Sequence, residues 1–588
     1  MQNLVGKHAG GWLGKPRAVT AWLARGERGV QNGWRHQAEA MQGRSRIIVS
    51  LVWLSCLASL PTGLQPAARA EQLLVVPKWG RFEQAFESTV KYTNALQQAT
   101  FMVTFVSPLG EYHRVYGFWD GARTWRVRFS PDQPGRWTYK TICSDRANTG
   151  LDKQEGSFLC SSALGQSRFH EHGPVRIARD HRHFEHADGT PFFWLADAVW
   201  NGARLSEPVD WERYAEIRAS QSFTVAGWSV VPGVDNKRQS ALTGFPERIG
   251  VNPDFYKRLD AKLETLSRQG ILSAVTPLSE LETDPNLLSL PDDQVVLLLR
   301  YAVARWGSEP IAWVLAFDGD SQKKMAVRWK RIGQAVFGEG PHAPVVLYPG
   351  QSAWLLDEFR DQAWVDAFGF QTITDASDDA LKWAFAGPFV SEWSKEPARP
   401  IIPFAPCENG LALRSRKRFT SEEVRHALYW GLLMTAPAGA SYCGQGVMNW
   451  DRGIDRNEKG PNADLPLWHR ALFLPAAKQM GCLASLFNST DFWRLQPQPK
   501  LIADQPGEAS PRSQVAAAST TSKELSVIYL PQGRTLQLNL EALPRSLHAT
   551  WMNPRNGEES PANPFVGERV RQFSAPDASD WLLLVRAQ

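Results

Sequence analysis

The chain has 588 residues, with 65 Lys+Arg against 60 Asp+Glu, 43% hydrophobic and 21% charged residues, enough for two to four domains with large cores. Nine of the basic residues but only two of the acidic ones fall in residues 1–70, so the remainder carries a net charge of −2. The apparent basicity of the chain therefore belongs to this leader, and nothing in the charge points to nucleic acid. The 25 Trp are ambiguous, because a flat indole face stacks on sugar rings and also fills large cores.

Residues 1–70 read as an upstream extension and a signal peptide. After Met41, Arg44 and Arg46 form a positive n-region, IIVSLVWLSCLASL (47–60) an apolar run, and Ala68-Arg69-Ala70 a small-x-small cleavage site. The apolar run has 14 residues, short for a membrane span of about 20. We therefore expect export to the periplasm or beyond, from a bacterial source, with no membrane attachment after cleavage; an uncleaved anchor is the alternative.

Residues 71–168 alternate apolar and polar in TFMVTFVSP, YHRVYGFWDG, TWRVRFSP and GRWTYKTI, separated by Gly, Pro and Asp-Gly turns. This pattern predicts an N-terminal β-sandwich. Cys143 and Cys160 flank a turn-rich connection and are a candidate disulfide in an oxidising compartment. HEHGPVRIARDHRHFEH (170–186) holds five of the 12 His and reads as strands entering the next domain. Its spacing does not fit a metal site, and no cofactor is called for elsewhere.

Between 169 and 487 short apolar runs alternate with helical segments. The runs are PFFWLAD (191–197), FTVAGWSV (223–230), ILSAVTPL (271–278), IAWVLAFD (311–318), PVVLYPG (344–350), VDAFGFQT (365–372), IIPFAPCE (401–408) and GASYCGQG (439–446). Eight strands with helical crossovers over about 300 residues predict a (β/α)8 TIM barrel. Residues 488–522, rich in Pro, Ser, Gln and Ala, read as a connector, and 523–588 as a second, smaller β-sandwich.

Catalytic groups of such barrels sit at the C-terminal ends of the strands. Asp318 ends the fourth run and Glu408 the seventh, while Asp197 ends the first. Two carboxyl groups across a scissile bond are what glycoside hydrolysis needs, and the acid-on-four, nucleophile-on-seven order resembles the retaining barrel glycosidases. Asp320 shares the face of Asp318 by alternation and is the alternative acid.

Several stretches together resemble the apiosidase-like glycoside hydrolases. FFWLADAVWNGARLSEPVDWERYAEIRASQSFTV is similar to that family's first-strand segment. WVLAFD resembles the strand with the acid/base, WVDAFGFQT the sixth strand ending in glutamine, IIPFAPCENG the strand with the nucleophilic glutamate, and SYCGQGVMNW the last strand. WGRFEQAFES, GFWDG and VRFSPDQPGRW resemble the β-sandwich that often precedes this barrel, and IYLPQG, WMNPRNGE and DWLLLV resemble the C-terminal domain labelled collagen-binding. The resemblance implies Asp318 as acid/base and Glu408 as nucleophile, with a carbohydrate as the partner. Asp197, Trp200, Trp228, Gln371, Tyr442 and Trp450 are the candidate substrate-binding residues.

The chain departs from the family pattern at Ala316-Phe317, Tyr348, Gln371-Thr372-Ile373-Thr374 and Asn409-Gly410, which leaves the identity of the sugar open. A non-catalytic carbohydrate-binding or exopolysaccharide-handling protein on a decayed barrel is the second reading. A peptidase would need a Ser/His/Asp, Cys/His or H-E-x-x-H arrangement that the sequence lacks.

Overall fold

The computed structural model describes residues 73–587 apart from 163–164, 166, 280–286, 288, 317–321, 351–353, 372, 374–376, 405–406, 411–417, 455–463, 542 and 563–568. The expected signal peptide and the acids Asp318 and Asp320 lie outside the described residues.

All eight apolar runs form parallel strands of one sheet: Trp194–Ala198, Val225–Val231, Leu272–Leu278, Ile311–Ala316, Val345–Tyr348, Ala367–Phe370, Ile401–Pro403 and Gly439–Tyr442. Strands one to seven neighbour each other in chain order, and strand eight pairs with strand one. Parallel bridges Ile401↔Pro437, Phe404↔Ser441 and Asn409↔Gly444 bring strand seven to strand eight. The result is a nearly closed parallel eight-stranded barrel of the TIM type.

Successive side chains of a strand point to opposite faces, and here both faces are buried. The inward set, including Trp194, Ala196, Ala274, Val314, Val346 and Ile402, packs as one cluster. Its floor is Phe169, Val175, Phe184 and Phe192, three of them on or beside a small antiparallel sheet of Val175–Ile177, Phe184–His186 and Pro191–Phe192. Two histidines of 170–186 brace this floor: His186 Nδ1 lies 2.8 Å from the Gly173 carbonyl and His172 Nδ1 2.8 Å from Asp188.

The outward set meets the helices. The helix Ser421–Leu433 begins at a capping box in which Thr420 and Glu423 satisfy each other's backbone N–H groups, an arrangement worth about 1 kcal/mol. That helix is buried along most of its length because the barrel lies on one side and the C-terminal domain on the other.

Residues 75–161 form two sheets. One has five strands in the order Val75–Pro77, Glu155–Ser161, Gly135–Cys143, Phe101–Val106 and Tyr112–Tyr116; the other pairs Phe82–Glu87, Thr124–Phe129 and Phe118–Trp119. A shared core joins them, with Phe82 of the second sheet stacked on Phe158 of the first at 4.2 Å. Within the first sheet Cys160 stands opposite Gly135, and Cys143 lies eight residues further along that strand. At ~3.3 Å per residue this separates the two cysteines by about 26 Å, far beyond the ~7 Å Cα limit for a disulfide. Both thiols are buried and free, so the expected bridge is corrected.

The stretch 488–522 also differs from its expectation. It contributes Leu495–Pro497 and Ala516–Thr520 to a six-stranded sheet with Leu525–Leu530, Trp581–Ala587, Leu547–Met552 and Glu559–Pro561. The run VAAAST reads as low complexity, yet its small side chains let the strand lie close on the helix Ser421–Leu433. Ala516 and Ala518 pack with that helix, while Ala517 faces the domain's own core.

Candidate active site at the barrel mouth

Strand seven ends at Pro403, and Glu408 lies on the segment beyond it, partly buried at the C-terminal end of the barrel. Its neighbour Asn409 fixes this segment to the end of strand eight. Asn409 N–H donates to the Cys443 carbonyl at 2.8 Å, and Gln445 N–H donates to the Asn409 carbonyl at 2.9 Å. The Tyr442 hydroxyl donates to Asn409 Oδ1 at 3.1 Å from the core behind. The Glu408 carboxyl is thereby held on a braced backbone, as precise chemistry requires.

Two side chains converge on that carboxyl, and a third orients one of them. Gln445 Nε2 donates to Glu408 Oε2 at 2.7 Å. On the other side Gln371, at the end of strand six, interacts with the carboxyl through its side chain. The Tyr348 hydroxyl donates to Gln371 Oε1 at 3.1 Å, which orients the amide so that its NH2 is the end free to donate to a carboxylate. Burial pushes the Glu408 pKa up, and the Gln445 and Gln371 amides oppose that shift. A carboxylate that accepts from amides on both sides is stabilised in its ionised form.

Trp200 is the one candidate tryptophan of this mouth. It is partly exposed and lines the upper barrel lumen with Ala198, Tyr348, Phe404 and Ser441. Trp228 points outward and meets Trp306 edge-on at 5.8 Å. Trp450 is buried, stacked on Trp468 at 4.3 Å and 12°. Both are therefore corrected from sugar platforms to packing groups. Tyr442 is likewise buried with Phe223 and Arg218 and supports Asn409 without entering the mouth.

Asp197 is also removed from the mouth. Trp194, Ala196 and Ala198 line the lumen, so the pleat turns Asp197 to the helix layer. There it is fully buried, accepting from Arg218 Nε at 2.7 Å and the Tyr214 hydroxyl at 3.0 Å. Burial pushes its carboxyl up and Arg218 pulls against that. Asp197 is a structural ion-pair partner.

Cys407 and Cys443 flank Glu408 in space, but burial raises both thiols well above their ordinary value. A thiolate nucleophile is disfavoured there. Gln445, which the sequence reading passed over, sits inside the G-Q-G that follows strand eight; only the closure of strand eight beside strand seven reveals its reach.

Comparison with known proteins agrees with this architecture. The family described as "Apiosidase-like, catalytic domain" matches residues 178–494, more than half of the chain. A domain of unknown function (DUF5060) matches 75–144, and a domain described as "Putative collagen-binding domain of a collagenase" matches 497–586. No curated protein matches the chain. Among solved structures, one titled as a putative glycoside hydrolase from Bacteroides vulgatus ATCC 8482 is 17% identical, with a TM-score of 0.66 over 87% of this chain and 99% of its own. A glycoside hydrolase family 5 structure from the same organism is 18% identical, with a TM-score of 0.61 over 71% of this chain and 94% of its own. A further structure titled "Glycoside hydrolase" is 18% identical, with a TM-score of 0.62 over 71% and 98%. These likenesses are of fold, and with the family match they lead to one assignment: the chain belongs to the apiosidase-like family and is a glycoside hydrolase.

Proposed function

We propose that the chain is an exported glycosidase that cleaves a polysaccharide or oligosaccharide with retention of configuration, Glu408 acting as nucleophile and Asp318 as acid/base. In this reading the ionised Glu408 attacks the anomeric carbon and forms a glycosyl ester as the bond to the leaving oxygen breaks. Asp318 gives that oxygen its proton. Asp318 then takes a proton from a water, whose oxygen attacks the same carbon and frees Glu408. Such chemistry needs the two carboxyl groups about 5–5.5 Å apart.

The observation that carries the reading is the Glu408 carboxyl itself, at the C-terminal end of the barrel with Gln445 and Gln371 as donors. Trp200, in the lining of the barrel lumen, is the candidate stacking platform, and Gln371 the candidate contact to sugar hydroxyls. We read the paired sheets on either side as β-sandwiches, and residues 1–70 as the leader that directs export.

The test is release of reducing sugar from a panel of plant and bacterial polysaccharides. Wild type is compared with Asp318→Asn and Glu408→Gln. Loss in both variants by about 10³-fold or more supports the pair. Unchanged activity in either variant refutes that residue's role. Inactivity of wild type with retained polysaccharide binding would favour a non-catalytic sugar-handling protein.

A further inference from the structure

The five-stranded sheet of the N-terminal domain buries one face and leaves the other in solvent. Along the buried face run Val103, Phe105, Trp137 and Phe158. On the open face the strand register sets side chains in rows: Tyr116–Met102–Ile142, Arg114–Thr104–Lys140–Glu155, and Tyr112–Val106–Thr138–Ser157, with Arg136 and Leu159 in the next. An open sheet face of ordinary kind is polar.

This one departs from that in three ways. First, large apolar side chains collect on it. Tyr112 is 76% exposed, and Tyr116, Ile142, Leu159 and Val75 are exposed on the same face. Of these, Tyr112 stands in a row with Val106, Thr138 and Ser157, beside the polar row of Arg114, Thr104, Lys140 and Glu155. Secondly, the rows form a trough of about 590 Å3 whose walls include Tyr112, Arg136, Thr138, Lys140 and Ser157. Hydroxyl and amine donors thus stand beside an aromatic ring. Thirdly, the charges are unbalanced. Glu155 is the acid of the trough, and Lys140 already holds it at 2.7 Å. Arg136 donates to the Ser157 hydroxyl at 3.0 Å, and neither Arg136 nor Arg114 has an acidic partner among the described residues.

We propose that this trough is a second carbohydrate site, on a different domain from the barrel mouth, that holds a strand of uronate-bearing polysaccharide. Tyr112 stacks beneath a sugar ring, the hydroxyl rows meet its oxygens, and Arg136 in the trough wall pairs with a carboxylate, for which a planar guanidinium is suited, with Arg114 opposite Thr104 on the same open face. The ligand class rests on the carbohydrate reading of the barrel, but the site does not depend on the roles given to Asp318 and Glu408. Its function would be to keep the enzyme on an acidic polymer while the barrel works.

The experiment is affinity electrophoresis of the full chain in gels containing polygalacturonate or alginate, with dextran as the neutral control. Retardation by at least one acidic polymer and not by dextran is expected, weakening as salt rises. Tyr112→Ala and Arg136→Ala, both outside the core, should each weaken it about tenfold, with unchanged melting temperature and unchanged turnover of a short soluble glycoside. Absence of retardation by both acidic polymers overturns the proposal. So does retardation that survives both substitutions, equal retardation by dextran, or co-sedimentation with anionic lipid vesicles in place of polysaccharide. Retardation of Glu408→Gln equal to wild type, lost on adding Tyr112→Ala, shows the trough acting whatever the fate of the catalytic reading.

Discussion

Glu408 sits where opposing demands meet, since burial favours its neutral form and the nucleophilic role proposed for it requires the ionised one. The Gln445 and Gln371 amides are the counterweight, and Tyr348 sets the direction of the second. Removing one donor should let burial win at lower proton concentration. With Gln445→Leu we expect the acid limb of the kcat/KM profile to move to higher pH, with activity at pH 5 down about tenfold and a smaller loss at pH 8. A uniform loss at all pH values would show that Gln445 acts otherwise than through the Glu408 charge. The carboxylate was legible from its place at the end of an apolar run. Gln445 was not, because its contact joins residues 37 positions apart across the seam where the barrel closes.

At the scale of the element, strand identity was legible and strand facing was not. Each barrel strand is a short apolar run between helical segments, a pattern that length and composition resolve. Because parallel strands are buried on both faces, no polar alternation marks which residues point inward. Asp197 and Trp228 were therefore drawn to the mouth by sequence position, and the pleat sends both to the helices. The N-terminal strands show the converse. Their alternation is clear, but register is needed to see that Cys143 and Cys160 stand far apart along neighbouring strands. A reducing agent should accordingly leave the melting temperature unchanged, and thiol labelling in denaturant without reductant should modify both cysteines. A drop of several degrees on reduction would mean that a bridge exists.

Across the whole molecule, buried ion pairs attach the flanking domains to the barrel. On the N-terminal side Asp260, of the helix Pro253–Arg268, accepts from Arg128 of the N-terminal sheet and from Arg305. Arg305 also reaches back to Asp120 at 2.9 Å. On the C-terminal side Asp580 is fully buried and takes both oxygens of its carboxyl to Arg425 of the barrel helix, at 2.8 Å each. The Tyr529 hydroxyl and Arg555 also donate to it. Burial alone would raise the Asp580 pKa, but Arg425 overcomes this and holds it below the ordinary value of 3.8. A carboxyl lowered in this way lends stability that is complete above its unfolded-state pKa and is lost as pH falls through the folded one. Asp580→Asn leaves Arg425 buried without a counter-charge, so at pH 7 it should cost about 3 kcal/mol or more, read from the urea midpoint of tryptophan fluorescence. The gap between variant and wild type should narrow as pH is brought below about 4, since the wild-type carboxyl is then protonated in the unfolded chain and soon in the folded one. A gap that stays constant from pH 7 to pH 3 would mean that the Asn side chain fails by shape and that the charge of Asp580 contributes nothing to holding the domain on the barrel.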